Sequence, residues 1–320
     1  MRPLTPPRSW YPESIMLFRY AYQGGVWIDL EHPTDEEVRG IAQEFSISER
    51  LEAELTSPTP SPLVASDSGV TFLVLHFPAR GSEDGDMRDQ EVDFIVGNGF
   101  IITVRYEVVA PLHRLRKVLE AQQLISSKDA LTTDVLLEIL FVHLYTAVRD
   151  QISQASDNLS RIEQDMFRGK ERATVRAISG TSREFLHVEA SIANQEEPLD
   201  RFLKTLAAKG GFGMSFRERS ERISAERAQV ARLAKTYRAV ATELRETNIA
   251  LLEARQNEIM KTLTIVNFIF LPLGLISWIF AMRTEGMPFV DSPNSFWIVL
   301  GIMLGTATLL ITFFIRRRWL

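Results

Sequence analysis

TLTIVNFIFLPLGLISWIFAM, the stretch from Thr262 to Met282, decides the fold, because it is strongly apolar and carries no charged side chain. A second charge-free run, SPNSFWIVLGIMLGTATLLITFFI, follows from Ser292 to Ile315. Each run is longer than the roughly 18 apolar residues that indicate a membrane-spanning helix. The sequence therefore predicts two spans near its C-terminal end, at 262–282 and 296–315, joined by the short segment 283–295.

The charges next to the spans predict their orientation. Arginines at positions 316–318 follow the second span, and Lys261 precedes the first. Lysine and arginine next to a span remain on the cytoplasmic side of the membrane. We therefore expect a two-pass protein of the bacterial inner (plasma) membrane, in contact with membrane lipids. Both termini would be cytoplasmic, with a periplasmic loop at 283–295 and a basic cytoplasmic tail at 316–320.

The composition excludes several classes of protein. The 320 residues contain 36 basic and 41 acidic side chains, a formal net charge of −5, and no cysteine. A chain without cysteine has no disulfide scaffold, no thiolate zinc site and no cysteine nucleophile. The acidic balance argues against nucleic-acid binding. No P-loop, Rossmann or HExxH motif occurs and the five histidines are scattered, so we predict no enzyme, no catalytic residue and no cofactor, and metal-contacting residues stay unassigned.

The first part of the chain has the pattern of a mixed α/β domain. Runs rich in β-branched and aromatic residues predict strands, and Thr34 followed by acidic residues predicts the start of a helix. The elements are an apolar run at Val26–Leu30, a helix at about Asp35–Phe45, a strand at Gly69–Phe77, and a hairpin of Val92–Val96 with Phe100–Arg105. We assign 1–125 to a cytoplasmic α/β domain and 126–215, where the apolar period is helical, to a cytoplasmic helical part.

A long stalk helix is predicted at 216–261. No glycine or proline occurs from Phe216 until Pro272, so nothing interrupts the helix before it enters the first span. Apolar residues recur every seven positions with a companion set between them, which is typical of a helix that packs against partner helices. The heptad positions are Ile223, Val230, Tyr237, Leu244 and Leu251, and the companions are Leu233 and Val240.

The C-terminal part of the chain resembles a known family. The matching residues are the block NEIMKTLT at Asn257–Thr264, Pro272, the pair Met287 and Pro288, and the tail that ends in Trp319 and Leu320. By the order and spacing of these residues, the chain resembles the CorA superfamily of divalent-cation transporters, in a ZntB-like or CmaX-like branch. The runs WIDL and VDFIVGNGFIITVR are similar to the cytoplasmic domain of that family. The resemblance therefore covers nearly the whole chain.

The resemblance implies an architecture and a function. The expected fold is an α+β cytoplasmic funnel domain with a long helical stalk and a C-terminal two-helix transmembrane hairpin, assembled as a homopentamer. The implied function is that of an inner-membrane divalent metal cation transporter, of the magnesium or zinc class, with ions passing along a central pore lined by the first span. The alternative is a non-conducting, CorA-like membrane sensor or scaffold that has lost the selectivity motif at the pore entrance.

One face of the first span provides the candidate pore lining. Steps of three and four residues from Asn257 give the candidates Asn257, Met260, Thr264, Asn267, Leu271 and Gly274, and Leu263 lies at the edge of the same face. An amide inside a span is costly unless it meets water or a partner. Asn267 is therefore expected either to contact a hydrated cation in the pore or to form a hydrogen bond between helices. Met260 and Leu263 form either a hydrophobic gate or plain helix-packing core.

The entrance motif of the family is altered in this chain. The resemblance places a Gly-x-Asn triplet at the outer end of the first span, where this sequence has Ala281, Met282 and Arg283, with Glu285 nearby. In a pentamer, arginines about 8 Å apart would repel by roughly 2 kcal/mol per pair at an effective dielectric of about 20, and would oppose an incoming cation. Three outcomes stay open: Arg283 turns outward, it pairs with Glu285 or Asp291, or the protein does not take up cations as its relatives do.

Overall fold

The computed structural model of the chain describes residues 17–80, 87–125, 131–209, 212, 215–282 and 294–317. The chain divides into two compact units. The first comprises Met1–Asp165 and Arg176–Leu244, and the second comprises Met166–Val175 and Arg245–Leu320. The first unit contains a sheet with its covering helices, and the second contains the apolar helices that the sequence predicts as membrane spans.

A six-stranded mixed sheet forms the centre of the first unit. The strands are β1 (Leu17–Tyr22), β2 (Gly25–Glu31), β3 (Leu63–Asp67), β4 (Val70–Arg80), β5 (Met87–Gly97) and β6 (Phe100–Arg105). Their order across the sheet is β1-β2-β6-β5-β4-β3; β2 and β6 are parallel, and the other neighbours are antiparallel. The predicted apolar run, strand and hairpin lie in β2, β4 and β5–β6, whereas the sequence pattern does not predict β1 or β3.

Two turns meet at one end of the sheet, and both need glycine. Gly99 has a φ of +78°, in the left-handed region that favours glycine. A Cβ on Gly25 would lie 1.8 Å from the carbonyl oxygen of Gly99. The N–H of Val26 donates to that same carbonyl at 3.0 Å. Any side chain at Gly25 would therefore separate β2 from β6, the only parallel pair among the described strands.

Helices α1 (Asp35–Glu44) and α2 (Glu49–Glu54) cover one face of the sheet. Helix α1 begins with a capping box, because Glu37 N–H donates to Thr34 Oγ1 at 3.3 Å and Thr34 N–H donates to the Glu37 carboxylate at 2.8 Å. Apolar residues of both helices and alternate strand residues form one core, which includes Ile28, Leu30, Val38, Ile41, Leu51, Phe72, Val74, Ile95 and Ile102. The predicted helix at 35–45 is thus α1, whereas the sequence pattern does not predict α2.

The other face of the sheet is covered by helices α3 (Ala110–Ile125), α4 (Thr133–Phe167) and α6 (Glu196–Ala208). Aromatic rings join sheet and helices there. Phe94 of β5 stacks on Phe141 of α4 at a centroid distance of 4.7 Å, and Phe141 meets Phe202 of α6 at 6.4 Å. Because both faces are covered, the central strands are buried along most of their length, which explains their near-continuous apolar sequences.

Helix α5 (Glu171–Asn194) packs against α7 (Phe216–Ala281) within the first unit. The rings of Phe185 and Tyr237 stack at a centroid distance of 5.7 Å. Arg238 Nη1 donates to Glu189 Oε2 at 2.8 Å. The heptad surface of α7 therefore packs against α5 of the same chain.

The buried seam of α7 differs in part from the predicted one. Ile223, Val230 and Leu244 are buried, as the heptad predicts. The predicted companions are not buried: Leu233 is half-buried and Val240 is exposed. The companions that the structure buries follow heptad residues by four positions, and they are Arg227, Ala234 and Ala241. Two of these three side chains are small, so α5 can approach α7 on that side, whereas the larger Leu233 and Val240 are not buried within one chain.

The second unit contains the two candidate membrane spans. The C-terminal part of α7 and helix α8 (Ser295–Arg316) are long and apolar enough to cross a membrane, and only 6% of the most apolar window of each is buried. A core helix of a soluble protein would bury that surface, so the exposure of these apolar helices agrees with the predicted membrane spans. The rings of Phe268 and Phe314 meet edge to face at a centroid distance of 6.3 Å, which places α8 against the first span.

Charged residues of β2 and β6 form a buried cluster in the first unit. The parallel register sets Asp29 beside Thr103 and Glu31 beside Arg105. The guanidinium of Arg105, which has no exposed surface, donates to Asp29 Oδ2 at 2.8 Å and to Glu31 Oε2 at 2.8 Å. Arg116 Nη1 lies farther away, at 3.9 Å from each carboxylate. Two buried carboxylates therefore depend on one fully buried guanidinium.

The variant Arg105→Met is expected to lower the free energy of unfolding by about 3–5 kcal/mol, because it leaves the carboxylates of Asp29 and Glu31 buried without their main partner. The matched control is Arg19→Met, which breaks an exposed ion pair with Glu44 and should cost about 0–1 kcal/mol. Thermal unfolding of the full chain in detergent, followed by circular dichroism, compares the two. Equal losses would contradict the assigned role of Arg105.

A further buried carboxyl group belongs to Asp93 of β5. Its Oδ2 accepts a hydrogen bond from the Tyr106 hydroxyl at 3.2 Å, and its Oδ1 has no hydrogen-bond partner within the described part of the chain. Burial, and next the charge of Glu91, raise the pKa of Asp93 well above its ordinary value. The folded protein therefore retains a proton on Asp93 at a pH where the unfolded chain has lost it.

The variant Asp93→Asn is expected to raise the thermal midpoint at neutral pH. In the unfolded chain Asp93 loses its proton near pH 3.9, whereas in the folded protein it does so only at higher pH, so the stability contribution of Asp93 falls as pH rises through that window. Asparagine does not titrate and avoids this loss. Melting curves from acid to neutral pH measure the difference, which should vanish below about pH 3.9. A stabilisation that does not change with pH would contradict the prediction.

Candidate functional site

The faces of the first span differ in exposure. A series of buried or half-buried residues recurs at steps of three and four, and its members are Ile265, Ile269, Pro272, Ile276 and Phe280. At about 100° per residue, these positions cluster on one side of the helix. Phe268, which contacts Phe314 of α8, lies at the edge of that side. The span therefore has one face covered within this chain and another face that the chain leaves uncovered.

The predicted pore-lining residues lie mainly on the uncovered face. Asn257, Met260, Leu263, Asn267 and Leu271 are all exposed, with Leu271 at 69%. Around the helix axis, the centre of this face is about 160° from the centre of the covered face. These side chains follow one another along about 21 Å of helix. The structure therefore brings five of the seven predicted residues together on a surface that the described residues leave uncovered.

Asn267 is the only amide side chain in the sequence of the first span. It is exposed, and its side chain has no hydrogen-bond partner among the described residues. An unsatisfied polar group in hydrocarbon costs several kcal/mol. Asn267 therefore requires water or a second copy of the chain. Both roles predicted for it, contact with a hydrated ion and hydrogen bonding between helices, meet this requirement.

Thr264 and Gly274, the other two predicted residues, are half-buried. Thr264 Oγ1 donates to the Met260 carbonyl at 2.7 Å, so its proton is used within the helix and only its lone pairs could contact an ion. No heavy atom lies within 4 Å of the position that a Cβ on Gly274 would occupy. Packing within one chain therefore does not require this glycine, which instead leaves space beside the helix.

The outer end of the first span lies at the predicted entrance. Helix α7 ends at Ala281, and Met282 N–H donates to the Ile279 carbonyl at 3.3 Å. The last turn contains no basic residue, so the final carbonyls carry the partial negative charge of a helix C-terminus. Ala281 and Met282 are exposed. The predictions for Arg283 and Glu285 fall outside the described residues.

No cluster of three or more histidine, aspartate or glutamate side chains that could hold a metal ion occurs in the described ranges. Two histidines instead face single carboxylates. His187 Nε2 lies 3.0 Å from Asp89 Oδ1, and His76 Nε2 lies 3.5 Å from Glu91 Oε2. The hydrogen bond to Glu91 raises the pKa of His76 above its ordinary value. Sequence reasoning missed both pairs, because strand pairing and helix packing join residues that are distant in the sequence.

Known proteins share this architecture. Residues 22–317 match the family described as CorA-like Mg²⁺ transporter protein. The chain is similar to the cobalt/magnesium transport protein CorA of Methanocaldococcus jannaschii, with 23% identity over 303 residues that cover 92% of this chain and 91% of that protein. The complete structure of the CorA magnesium transporter from the same organism has a TM-score of 0.77 at 22% identity, and the match covers 93% of this chain and 92% of that one.

Two further solved structures share the fold at lower similarity. The ZntB cytoplasmic domain from Vibrio parahaemolyticus has a TM-score of 0.58 at 12% identity, covering 72% of this chain and 89% of that one. The full-length CmaX protein has a TM-score of 0.52 at 18% identity, and the match covers 92% of this chain and 89% of that one. The predicted soluble α/β domain, long helix and two C-terminal apolar helices are thereby confirmed. Since the family match extends over nearly its whole length, the chain belongs to the family of CorA-like Mg²⁺ transporter proteins.

Proposed function

We propose that this protein is an inner-membrane transporter of hydrated divalent cations of the magnesium class, and that it works as a homopentamer with the first spans around a central pore. Asn267 is the observation that carries the proposal. Its amide has no partner among the described residues, and it lies on the face of the span that one chain leaves uncovered. Five copies arranged around water would satisfy every Asn267 at once. Membership in a family of cation transporters supports the same function.

The chemistry of this face favours magnesium over zinc. Magnesium dehydrates reluctantly, prefers oxygen ligands and usually keeps several of its waters. A ring of Asn267 amide oxygens can accept hydrogen bonds from that hydration shell without replacing it. Zinc sites in proteins use cysteine sulfur and histidine nitrogen, whereas this chain has no cysteine and no histidine in either span. The zinc class therefore has less support.

The ends of the first spans would favour cations. The α7 helices of a pentamer would bring their C-terminal carbonyls together at the outer mouth, where their partial negative charges attract a positive ion. A membrane potential that is negative inside contributes about 2.3 kcal/mol per elementary charge per 100 mV. A divalent cation gains twice that amount, so uptake needs no further energy source.

A hydrophobic gate is proposed at the inner end of the pore. Met260 is 54% exposed and Leu263 is 52% exposed, and they lie three residues apart on the uncovered face. A narrow ring of such side chains excludes water when it contracts and thereby stops hydrated ions. In this arrangement Met260 and Leu263 lie inward of Asn267, so an ion would pass the amide ring before the gate.

The proposal keeps the orientation and division of the chain that the sequence predicts. The regions 1–125, 126–215 and 216–261 would be cytoplasmic, the loop 283–295 would be periplasmic, and the chain would return to the cytoplasm at its end. Exposed Arg316 and Arg317 at the end of α8 support this orientation, because basic residues next to a span remain on the cytoplasmic side.

A second candidate function follows from Arg283. By the resemblance to the family, this residue takes the place of the entrance asparagine. An unpaired ring of arginines at that place would repel divalent cations. The protein would then be a non-conducting membrane sensor or scaffold with the architecture of a transporter. Pairing of Arg283 with Glu285 or Asp291 would remove this obstacle.

The variant Asn267→Leu is expected to reduce magnesium flux on the order of tenfold or more, because the change in barrier for one lost set of ion contacts exceeds about 1.4 kcal/mol. The matched control is Ile276→Leu, which changes a half-buried residue on the covered face of the same helix without altering its volume, and which should leave flux close to that of the wild type. Uptake into proteoliposomes loaded with a magnesium indicator measures both. Unchanged flux in Asn267→Leu would exclude this residue from the ion path.

The variant Arg283→Asn separates the two candidate functions. If Arg283 is paired or turned outward, the wild type conducts and the variant differs from it by less than about threefold, a barrier change below about 0.7 kcal/mol. If Arg283 obstructs the mouth, only the variant conducts. Both proteins are compared with protein-free liposomes that contain magnesium or zinc indicators. Absence of flux from both, with correctly assembled protein, would contradict the transporter proposal.

A further inference from the structure

We propose that the turn between α4 and α5, residues 167–172, binds the anionic phospholipid headgroups of the inner leaflet. This surface, the α4–α5 turn, belongs entirely to the second unit. Its sequence is FRGKER. The proposal needs the membrane spans but not conduction, so it stands independently of the proposed transport function.

The α4–α5 turn combines an exposed aromatic ring with basic side chains. Phe167 is 62% exposed, and Arg168, Lys170 and Arg172 are all exposed. Gly169 has a φ of +87°, which allows the sharp reversal between the two helices. An exposed apolar ring flanked by cations fits the boundary between lipid headgroups and hydrocarbon, where the ring meets acyl chains and the cations meet phosphates.

Hydrogen bonds hold the α4–α5 turn against α7. Arg255 Nη1 donates to Glu171 Oε1 at 3.1 Å, and Asn248 Nδ2 donates to the Glu171 carbonyl at 3.1 Å. Thr174 Oγ1 donates to Asn248 Oδ1 at 3.4 Å. Glu171 is the only acidic residue between positions 166 and 175, and α7 engages its carboxylate. Arg168 and Arg172 lie exposed on either side of this contact.

The α4–α5 turn contacts α7 close to the start of the first span, and it would therefore lie at the level of the headgroups. Arg255 precedes the start of the first span at Thr262 by seven residues, about 10 Å of helix. The turn and Ile259 line one groove with a cavity volume of about 840 Å³. Headgroup layers are about 5–8 Å thick on each side of the hydrocarbon. Extended arginine and lysine side chains bridge the remaining distance.

The positive charge of the α4–α5 turn favours anionic lipid as its ligand. The segment 166–175 has three basic residues and one acidic residue, a net charge of +2, although the whole chain has −5. Basic residues next to a span are attracted to anionic lipids. The exposed phenyl ring favours lipid over a second copy of the chain, because phosphates and acyl chains lie side by side at a membrane surface. The exposed cations of the turn are therefore assigned to lipid phosphate.

The absence of cysteine allows a direct test. The variant Phe167→Cys carries a single environment-sensitive apolar fluorophore, and the full chain is placed in nanodiscs of phosphatidylcholine alone or of an equimolar mixture with phosphatidylglycerol. We expect blue-shifted emission, quenched by brominated lipid, in the phosphatidylglycerol discs, and water-like emission in the neutral discs. In the same background, Arg168→Gln, Lys170→Gln and Arg172→Gln together should lower the ratio of lipid-exposed to water-exposed label about tenfold or more.

The matched control removes three exposed cations from the first unit, through Arg201→Gln, Lys204→Gln and Arg217→Gln, and should keep the blue shift. Equal emission in the two kinds of disc would overturn the proposal. So would a blue shift that brominated lipid does not quench, because protein from a second copy would then cover the site. Phosphatidylglycerol retained by the unlabelled protein on purification provides a second measurement, and the triple glutamine variant of the turn should retain less of it.

Discussion

The backbone of a membrane span must satisfy its own hydrogen bonds, because the hydrocarbon of a bilayer contains no water to do so. This constraint shapes α7, a single helix that begins at Phe216 and ends at Ala281, about 100 Å in length. Even Pro272, which has no N–H to donate, lies inside it without ending it. The heptad seam and the proposed pore face therefore share one continuous helix, and the spacing between them along that helix is set by the number of residues alone.

The same helix meets its neighbours in two different ways. Between Phe216 and Leu244, small residues such as Ala234 and Ala241 allow α5 of the same chain to pack closely, so the heptad is satisfied without a second copy. Beyond Asn257, the described residues leave the face that carries Asn267 uncovered. One chain thus buries the seam of α7 between Ile223 and Leu244 but not the face of the span that carries Asn267. Such an unsatisfied surface in lipid is a physical reason for assembly, and it is the part of the molecule that we connect with ion passage.

Strong local patterns made much of the fold predictable. The capping residue Thr34 marks the start of α1, and the Gly-Asn-Gly turn marks the β5–β6 hairpin. Weak patterns were missed: α2 has only six residues, and the edge strands β1 and β3 lack the dense apolar runs of the central strands. Val240, a predicted seam residue, is exposed within one chain, because apolar character predicts burial but cannot show which side of α7 meets α5.

The sequence by itself determined the two spans, the uninterrupted helix and the family, because these depend on composition and order along the chain. It also identified the face of the first span that carries Asn267, since helical periodicity alone decides which residues share a side. Only the tertiary structure revealed that Arg105 lies between Asp29 and Glu31, 76 and 74 residues away, and that Arg255 holds the α4–α5 turn against α7. Such contacts are formed by strand pairing and helix packing, and no local pattern records which distant residues these will join.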